Sequence, residues 1–379
     1  MNVPVLDLIR QYESIREEMD AAVLEVVRSG KYVLGPYVKA FEEKAAAYCE
    51  CAHAIGVASG TDALLLSLRA LDIGPGDCVI LPSFTFFATA GVVHNVGATP
   101  VFCDIDPETF NADPEHVREL LGDSELAAKT RAIIPVHLYG QIADMDELHA
   151  IGEEYGVAII EDAAQAIGSR YKGARAGTLG ATGCFSFYPT KNLGAYGDGG
   201  MITTDDDALA DKLRILRVHG SRPKYFHRMV GVNSRLDAIQ AAILGVKLAH
   251  LDRWSAAREA VATRYDTLLA DVDGIVTPAR KADRTHIFHQ YTVRVAGGGR
   301  DGLREHLGER GIGTMIYYPK PLHLQECFAH LGYREGSLPV TERASAEVLS
   351  LPIFPELTDA EQAVVVDEIR SHLSGGREN

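Results

Sequence analysis

The chain has 379 residues, enough for a large core and two domains. Its 37 Lys and Arg against 52 Asp and Glu give a formal net charge of −15, which argues against a nucleic-acid-binding face. With 46% hydrophobic and 23% charged residues it is neither disordered nor low-complexity, and no apolar run is long enough to span a membrane.

The first residues carry charge from Asp7 onward and have no apolar core of a signal peptide, so a cytoplasmic protein is expected. Residues 11–29 predict a charged amphipathic helix with Ile15, Met19, Val23, Val26 and Val27 on one face, ended by Gly30. Cys49 and Cys51 form a C-x-C pair with no second pair at zinc spacing, so no metal is expected; six cysteines do not suggest a disulfide framework. Short apolar runs then alternate with helical patterns. The runs are Cys78–Pro82, Pro100–Asp104, Ala132–His137, Val157–Asp162, Cys184–Phe187 and Gly200–Thr203. The helical patterns include Thr61–Leu71, Ala88–Val96, Pro114–Leu121 and Met145–Tyr155. Continuous apolar strands separated by helices mean an α/β domain with a mostly parallel sheet covered on both faces. Its ligands belong beyond the carboxyl ends of the strands.

After residue 204 the pattern changes. Ala208–His219 and Ser234–Ala257 predict helices. Beyond them a smaller α+β domain is expected, with a strand at His289–Val295, helices at Gly302–Arg310 and Thr341–Leu349, and a turn at Gly297–Gly299. The domain division is placed at 1–250 and 251–379, and residues 374–379 read as a disordered tail.

Three features near strand ends carry chemistry. Ser59-Gly60-Thr61-Asp62 opens a helix, where free N–H groups and hydroxyls suit an anion; an ordinary N-cap is the plain alternative. The run Val157–Asp162 ends in a carboxylate that can hold a proton on a heteroaromatic nitrogen, with Gln165 three residues on; capping of the next segment is the alternative. Lys191 follows a strand amid aromatic and small residues with little charge to solvate it. Desolvation would make it a nucleophile toward carbonyls, and a surface-loop lysine is the alternative. Gly194–Gly200 precedes a strand, so it is not a dinucleotide fingerprint. Anion site, strand-end Asp and Lys, in that order, are what pyridoxal phosphate needs: a phosphate cradle, a pyridinium partner and a lysine for its aldehyde.

These motifs resemble the DegT/DnrJ/EryC1/StrS aminotransferases, which make amino sugars on nucleotide carriers. The resemblance rests on Ser59-Gly60-Thr61-Asp62-Ala63-Leu64, Pro82-Ser83-Phe84-Thr85-Phe86, Glu161-Asp162-Ala163-Ala164-Gln165, Ser186-Phe187-Tyr188-Pro189 through Lys191-Asn192-Leu193-Gly194, and Gly231-Val232-Asn233-Ser234-Arg235. It runs from Val5 to Pro352. It implies the fold of pyridoxal-phosphate transferases of type I. It further implies that Lys191 forms the imine with the cofactor and shuttles the proton, and that Asp162 pairs with the pyridine nitrogen. Gln165 would contact the ring hydroxyl, Gly60, Thr61 and Ser186 the phosphate, and Phe86 the ring face. Asn233 would reach the phosphate of a neighbouring subunit, making the protein a homodimer with shared sites. His219, Tyr318 and His323 would touch the sugar. Arg228, with Arg222 and Lys224, would meet the carrier diphosphate or a sugar carboxylate, unless this is a solvated charge run. Members often carry His-Tyr-Pro where this chain has Tyr317-Tyr318-Pro319, which leaves no inherited role for residue 317.

The expected activity is transfer of an amine, by family habit from glutamate, to a nucleotide-linked ketosugar, with a 3-keto sugar favoured over a 4-keto one. Two other readings share the scaffold. A sugar dehydratase typically has His at the position of Lys191. A non-enzymatic regulator fits poorly with the acidic balance and the intact Asp–Gln–Lys set.

Overall fold

The computed structural model describes residues 2–375 of the chain, so residues 376–379 of the expected tail lie outside the described residues. Asp7 caps the first helix, α1 (Leu8–Glu13), by accepting the N–H groups of Ile9 and Arg10. The single helix expected over 11–29 is two: the chain breaks at Ser14 and Ile15, whose φ and ψ of −136° and 20° are not helical. Burial of Ile15 against Met19, Ile243 and Trp254 draws the chain inward there. α2 (Arg16–Ser29) then runs to Gly30, left-handed at φ 68°. A helix not foreseen, α3 (Pro36–Cys49), starts on a proline and buries Val38, Phe41, Ala45 and Cys49.

The central sheet follows. Its strands and covering helices are β1 (His53–Val57), α4 (Gly60–Ala70), β2 (Cys78–Pro82), α5 (Ala88–Asn95), β3 (Thr99–Cys103), α6 (Pro114–Leu121), α7 (Ser124–Lys129) and β4 (Thr130–Ile133). Then come α8 (Met145–Tyr155), β5 (Ala158–Asp162), the two-residue hairpin strands β6 (Arg170–Tyr171) and β7 (Ala174–Arg175), β8 (Thr182–Ser186) and β9 (Gly200–Thr204). The sheet order is β1-β9-β8-β5-β4-β2-β3. Pairs from β8 to β3 are parallel; β9 is antiparallel to both β8 and β1. One apolar face packs under α3 and α8, with Phe41, Ile133, Leu148, Phe187 and Leu244. The other packs under α4 and α5, with Leu66, Leu68, Val92, Ile160 and Ile202. This two-sided cover is why β2 is buried along its whole length.

Beyond the sheet lie α9 (Asp207–Leu216), α10 (Ala238–Leu248) and α11 (Leu251–Leu269). The helix expected at 234–257 breaks at Ala249 and His250, and the chain restarts at Leu251, which is fully buried. A second sheet has the order β10 (Ile275–Val276), β11 (Tyr291–Val295), β12 (Val348–Leu351), flanked by α12 (Arg300–Glu309), α13 (Pro339–Glu347) and α14 (Asp359–Gly375). The helix expected through Leu349 ends at Glu347, because Val348–Leu351 pair antiparallel with β11 and are all buried. Tyr265, Tyr291, Leu303, Val365 and Ile369 fill this second core, and Val3 from the N-terminus joins it beside Ile312.

Candidate functional site

Parallel pairing brings the carboxyl ends of β2, β4, β5 and β8 to one edge, and the candidate residues sit on the segments leaving them. Asp162 closes β5, opposite Cys184 of β8. Its backbone is fixed by Asp162 N–H to Pro135 O at 2.9 Å and His137 N–H to Asp162 O at 3.0 Å. The carboxylate is 5% exposed. Its Oδ2 accepts the Thr89 hydroxyl at 2.9 Å and its Oδ1 the Ala164 N–H at 3.2 Å. Burial raises its pKa; the Thr89 hydroxyl, the Ala164 N–H and the Lys191 charge pull the other way. A buried carboxylate held by these donors makes a strong ion pair with a cationic partner.

Gln165 is locked from two sides. Its Oε1 accepts the Tyr139 N–H at 2.7 Å, and its Nε2 donates to the Tyr318 hydroxyl at 3.2 Å. That leaves one amide N–H for a ligand. Tyr318 stands with its ring 6.2 Å from Phe86 and 6.3 Å from Phe84. Burial, then Asp162, pushes its phenol well up, so it stays protonated. Phe84 is buried, whereas Phe86 is 57% exposed at the same edge.

Lys191 lies in a loop closed at its base by Ala195 N–H to Phe187 O at 2.8 Å. Asn192 ties this loop to the segment before β11: Nδ2 donates to Ile287 O at 3.1 Å and Oδ1 meets His289 Nδ1 at 3.1 Å. On the other side, Lys247 of α10 donates to Gly194 O at 2.7 Å. Half-buried among these neighbours, the Lys191 ammonium is pulled by burial down to about 8, with Asp162 opposing. An amine in that range is partly neutral near physiological pH, as a nucleophile must be.

Gly60 begins α4 directly beside Ser186 at the end of β8. A Cβ on Gly60 would stand 2.6 Å from the Ser186 Cβ, so only glycine fits. Ser59 Oγ takes the Asp62 N–H at 3.1 Å. The Gly60 and Thr61 N–H groups have no acceptor among the described residues. With the Ser186 and Thr61 hydroxyls they form a cradle of donors at the positive end of an eleven-residue helix.

Of the sugar-side candidates, Tyr318 is at this edge; the others, with Asn233, fall elsewhere. His219, Arg228 and Asn233 are exposed on an excursion that bridges Ser221 to His227 and Val218 to Asn233. Within this single chain none of them hydrogen-bonds to Asp162, Gln165 or Tyr318. His323 is 1% exposed. Its ring meets Ser83 Oγ at 2.7 Å and Glu342 at 3.2 Å, so both nitrogens are engaged and neither is free for a sugar in this conformation. Arg222 is paired with Asp211.

The sequence did not reveal Thr89, Tyr139 or the pair His137–Glu161. Glu161 is fully buried and accepts from Leu179 N–H at 2.6 Å, Gly177 N–H at 2.8 Å and His137 Nε2 at 2.9 Å. Only one signal was readable: a charged residue inside an apolar strand run. Nothing in the sequence distinguishes Thr89 from any other helix-start threonine.

The model of the DegT/DnrJ/EryC1/StrS aminotransferase family matches residues 13–370. The chain is 54% identical to the pleiotropic regulatory protein of Geobacillus stearothermophilus, over 97% of this chain and 98% of that one. It is 48% identical to the dTDP-3-amino-3,4,6-trideoxy-alpha-D-glucose transaminase of Streptomyces venezuelae, over 97% and 95% of the two chains. Its fold superposes on the crystal structure of S. venezuelae DesV in complex with a ketimine intermediate with a TM-score of 0.94 at 48% identity, covering 98% of each chain. No helix among the described residues is long and apolar enough to cross a membrane. The chain belongs to the DegT/DnrJ/EryC1/StrS aminotransferase family and is a pyridoxal-phosphate-dependent sugar aminotransferase with an α/β fold.

Proposed function

We propose that the enzyme moves the amino group of L-glutamate to the 3-keto carbon of a nucleotide-linked sugar, working as a homodimer. One observation carries the reading. A buried carboxylate at Asp162, a half-buried amine at Lys191 and the Gly60–Ser186 donor cradle converge on the same sheet edge. Pyridoxal phosphate, when bound there, supplies the aldehyde that exchanges the amine and the ring that spreads the negative charge of the reacting carbon.

The residues present fit that group. Gly60, Thr61 and Ser186 would hold the phosphate. Asp162 would keep a proton on the ring nitrogen, and its burial strengthens that ion pair by excluding water. Gln165 Nε2 would donate to the ring oxygen. Phe86 would lie against the ring face. Lys191 Nζ would take the proton from the donor carbon and return it to the sugar carbon, for which its depressed pKa is suited.

Exposed apolar side chains support the dimer: Tyr32, Val33, Phe87, Tyr188 and Val230 are all open to solvent in the single chain. Asn233, exposed on the same excursion as Val230, would complete the partner's phosphate site. Lys224 and Arg228 would meet the diphosphate. The two separate sheets support reading 1–250 as the cofactor domain and 251–379 as the second domain. The name of the Streptomyces venezuelae relative supports amination at carbon 3.

The test is a panel of UDP- and dTDP-linked 3-keto and 4-keto sugars incubated with the loaded enzyme and L-glutamate, read by mass spectrometry. A mass change only with 3-keto acceptors is the expected result. Amination only of 4-keto acceptors, or no use of glutamate, would refute the assignment.

A further inference from the structure

Tyr139 joins the first sheet to the second. It lies on the short turn Leu138–Gly140 that follows β4. It is 3% exposed, with its ring 5.9 Å from Phe110. Its φ of 58° is left-handed, a conformation that a bulky residue keeps only where its neighbours impose it. Three hydrogen bonds impose it here. The backbone N–H donates to Gln165 Oε1 at 2.7 Å, and the carbonyl accepts the His289 N–H at 2.9 Å. The phenol donates to Tyr317 O. Burial, then Tyr318, raises that phenol well above its ordinary range, so it keeps the proton it donates.

The first of these bonds decides which way Gln165 faces. A side-chain amide has the same outline either way round, and only its partners choose between the two. A backbone N–H can donate and cannot accept, so it binds Oε1 and turns Nε2 away from Tyr139. Nε2 then donates to the Tyr318 hydroxyl at 3.2 Å and keeps one N–H open. The Tyr318 hydroxyl, acting as acceptor there, has no acceptor for its own proton among the described residues. The bond of the Tyr139 phenol fixes this second group, because Tyr317 O belongs to the peptide that leads into Tyr318. One residue therefore sets both members of a donor pair drawn from distant segments: Gln165 follows β5 of the first sheet, and Tyr318 follows α12 beside the second.

We propose that Tyr139 is a positioning residue for the cofactor: through its N–H and its phenol it holds Gln165 Nε2 and the Tyr318 hydroxyl as paired donors toward the oxygen on the pyridine ring. The inference rests on the placement of Gln165 at that oxygen and deepens it. Tyr139 acts through these two side chains and not by contact. Donors at the ring oxygen favour its charged form, so loosening them raises the pH at which the visible band of the loaded protein changes colour.

The experiment is a pH titration of that band in the cofactor-loaded wild type, Tyr139→Phe, Tyr318→Phe, Gln165→Leu and the double variant Tyr139→Phe/Tyr318→Phe, with melting temperatures measured alongside. Tyr139→Phe keeps the ring and the backbone N–H and removes only the anchor to Tyr317. Its midpoint should rise by about 0.5 to 1 pH unit. Gln165→Leu and Tyr318→Phe should each raise it at least as far, and the double variant no further than Tyr318→Phe alone. Tyr291→Phe is the control for a lost buried hydroxyl, since that phenol bonds Asp266 at 2.7 Å in the second core. It should melt lower, as Tyr139→Phe does, and leave the midpoint unmoved. An unmoved midpoint in Tyr139→Phe overturns the proposal. So does a rise that adds to that of Tyr318→Phe, or one that Tyr291→Phe shares. Each of these leaves Gln165 at the ring oxygen so long as Gln165→Leu moves the midpoint. If Gln165→Leu and Tyr318→Phe both leave it in place, the pair does not face that oxygen, and the placement falls together with the role of Tyr139.

Discussion

Compare the edge around Asp162 with the excursion from His219 to Asn233. At the edge almost every polar atom has a partner: Asp162 holds Thr89 and Ala164, Gln165 holds Tyr139 and Tyr318, and Glu161 takes three donors. On the excursion, Tyr225, Phe226 and Val230 are 79%, 69% and 88% exposed, and among the described residues Arg228 hydrogen-bonds only through its backbone N–H, to Gly220 O. The side chains of Asp162, Gln165 and Glu161 find these partners within one chain. The excursion carries exposed apolar side chains beside cations, of which Arg222 is paired with Asp211 and Lys224 lies over the Tyr225 ring. The two regions thus differ in how far the single chain fixes their side chains: the first is tied by hydrogen bonds between distant segments, the second is largely exposed.

Substitutions sharpen that contrast. The largest effect is expected for Lys191→Ala, which should lower turnover by at least about 10⁴-fold and remove the visible band of the loaded protein. Retention of both would break the comparison at its first term. Asp162→Asn should slow turnover on the order of 10² to 10³-fold. Its effect on stability runs the other way. Burial raises the folded pKa of Asp162, so the folded state favours the protonated form. The stability tied to that group is present at low pH and is lost as pH rises from the unfolded value through the folded one. At pH 7 to 8 the neutral amide should therefore melt about 2 °C higher in the cofactor-free protein, as read by calorimetry.

On the excursion, Val230→Asp should leave the monomer's melting temperature unchanged and weaken the dimer by at least about 10-fold in sedimentation equilibrium, because a charge would be buried in the contact. A dimer of unaltered strength would place the contact elsewhere. The smallest effect is expected at Lys247, buried beneath the Lys191 loop with Gly194 O as its acceptor and the Tyr196 ring 4.3 Å away. Burial holds its pKa down to about 8, below the unfolded value near 10.5. Between those values the unfolded chain binds the extra proton, so this group adds stability as pH rises from about 8 to 10. The melting-temperature difference between wild type and Lys247→Met should grow over that interval; a constant difference would show that the ammonium is not desolvated.

The sequence exposes some of this and conceals the rest for physical reasons. The strand that ends at Asp162 and the strand before Lys191 were legible as apolar runs, but each residue has a plain structural alternative, and their roles rest on the resemblance. The parallel sheet was legible because strands buried on both faces are continuously apolar, as Cys78–Pro82 is. Contacts between distant segments left no trace: Thr89 reaches Asp162 only once α5 is laid over β5, and Arg258 of α11 reaches the carbonyls of Phe288 and Ile353 only in the folded chain. The breaks at Ser14–Ile15 and Ala249–His250 interrupt runs whose periodicity continues across them, since burial of Ile15 and Leu251 outweighed local propensity there. The strand Val348–Leu351 continues a helical pattern and becomes extended because β11 offers it partners.

Asn192 has a mechanical consequence. Its side chain grips Ile287 O and His289, both at the foot of the second sheet, while its backbone is the next link after Lys191. A rotation of that sheet would therefore drag the amine with it. A shift of Ile287 or His289 would reach the Lys191 amine as displacement, through one amide acting as a lever arm.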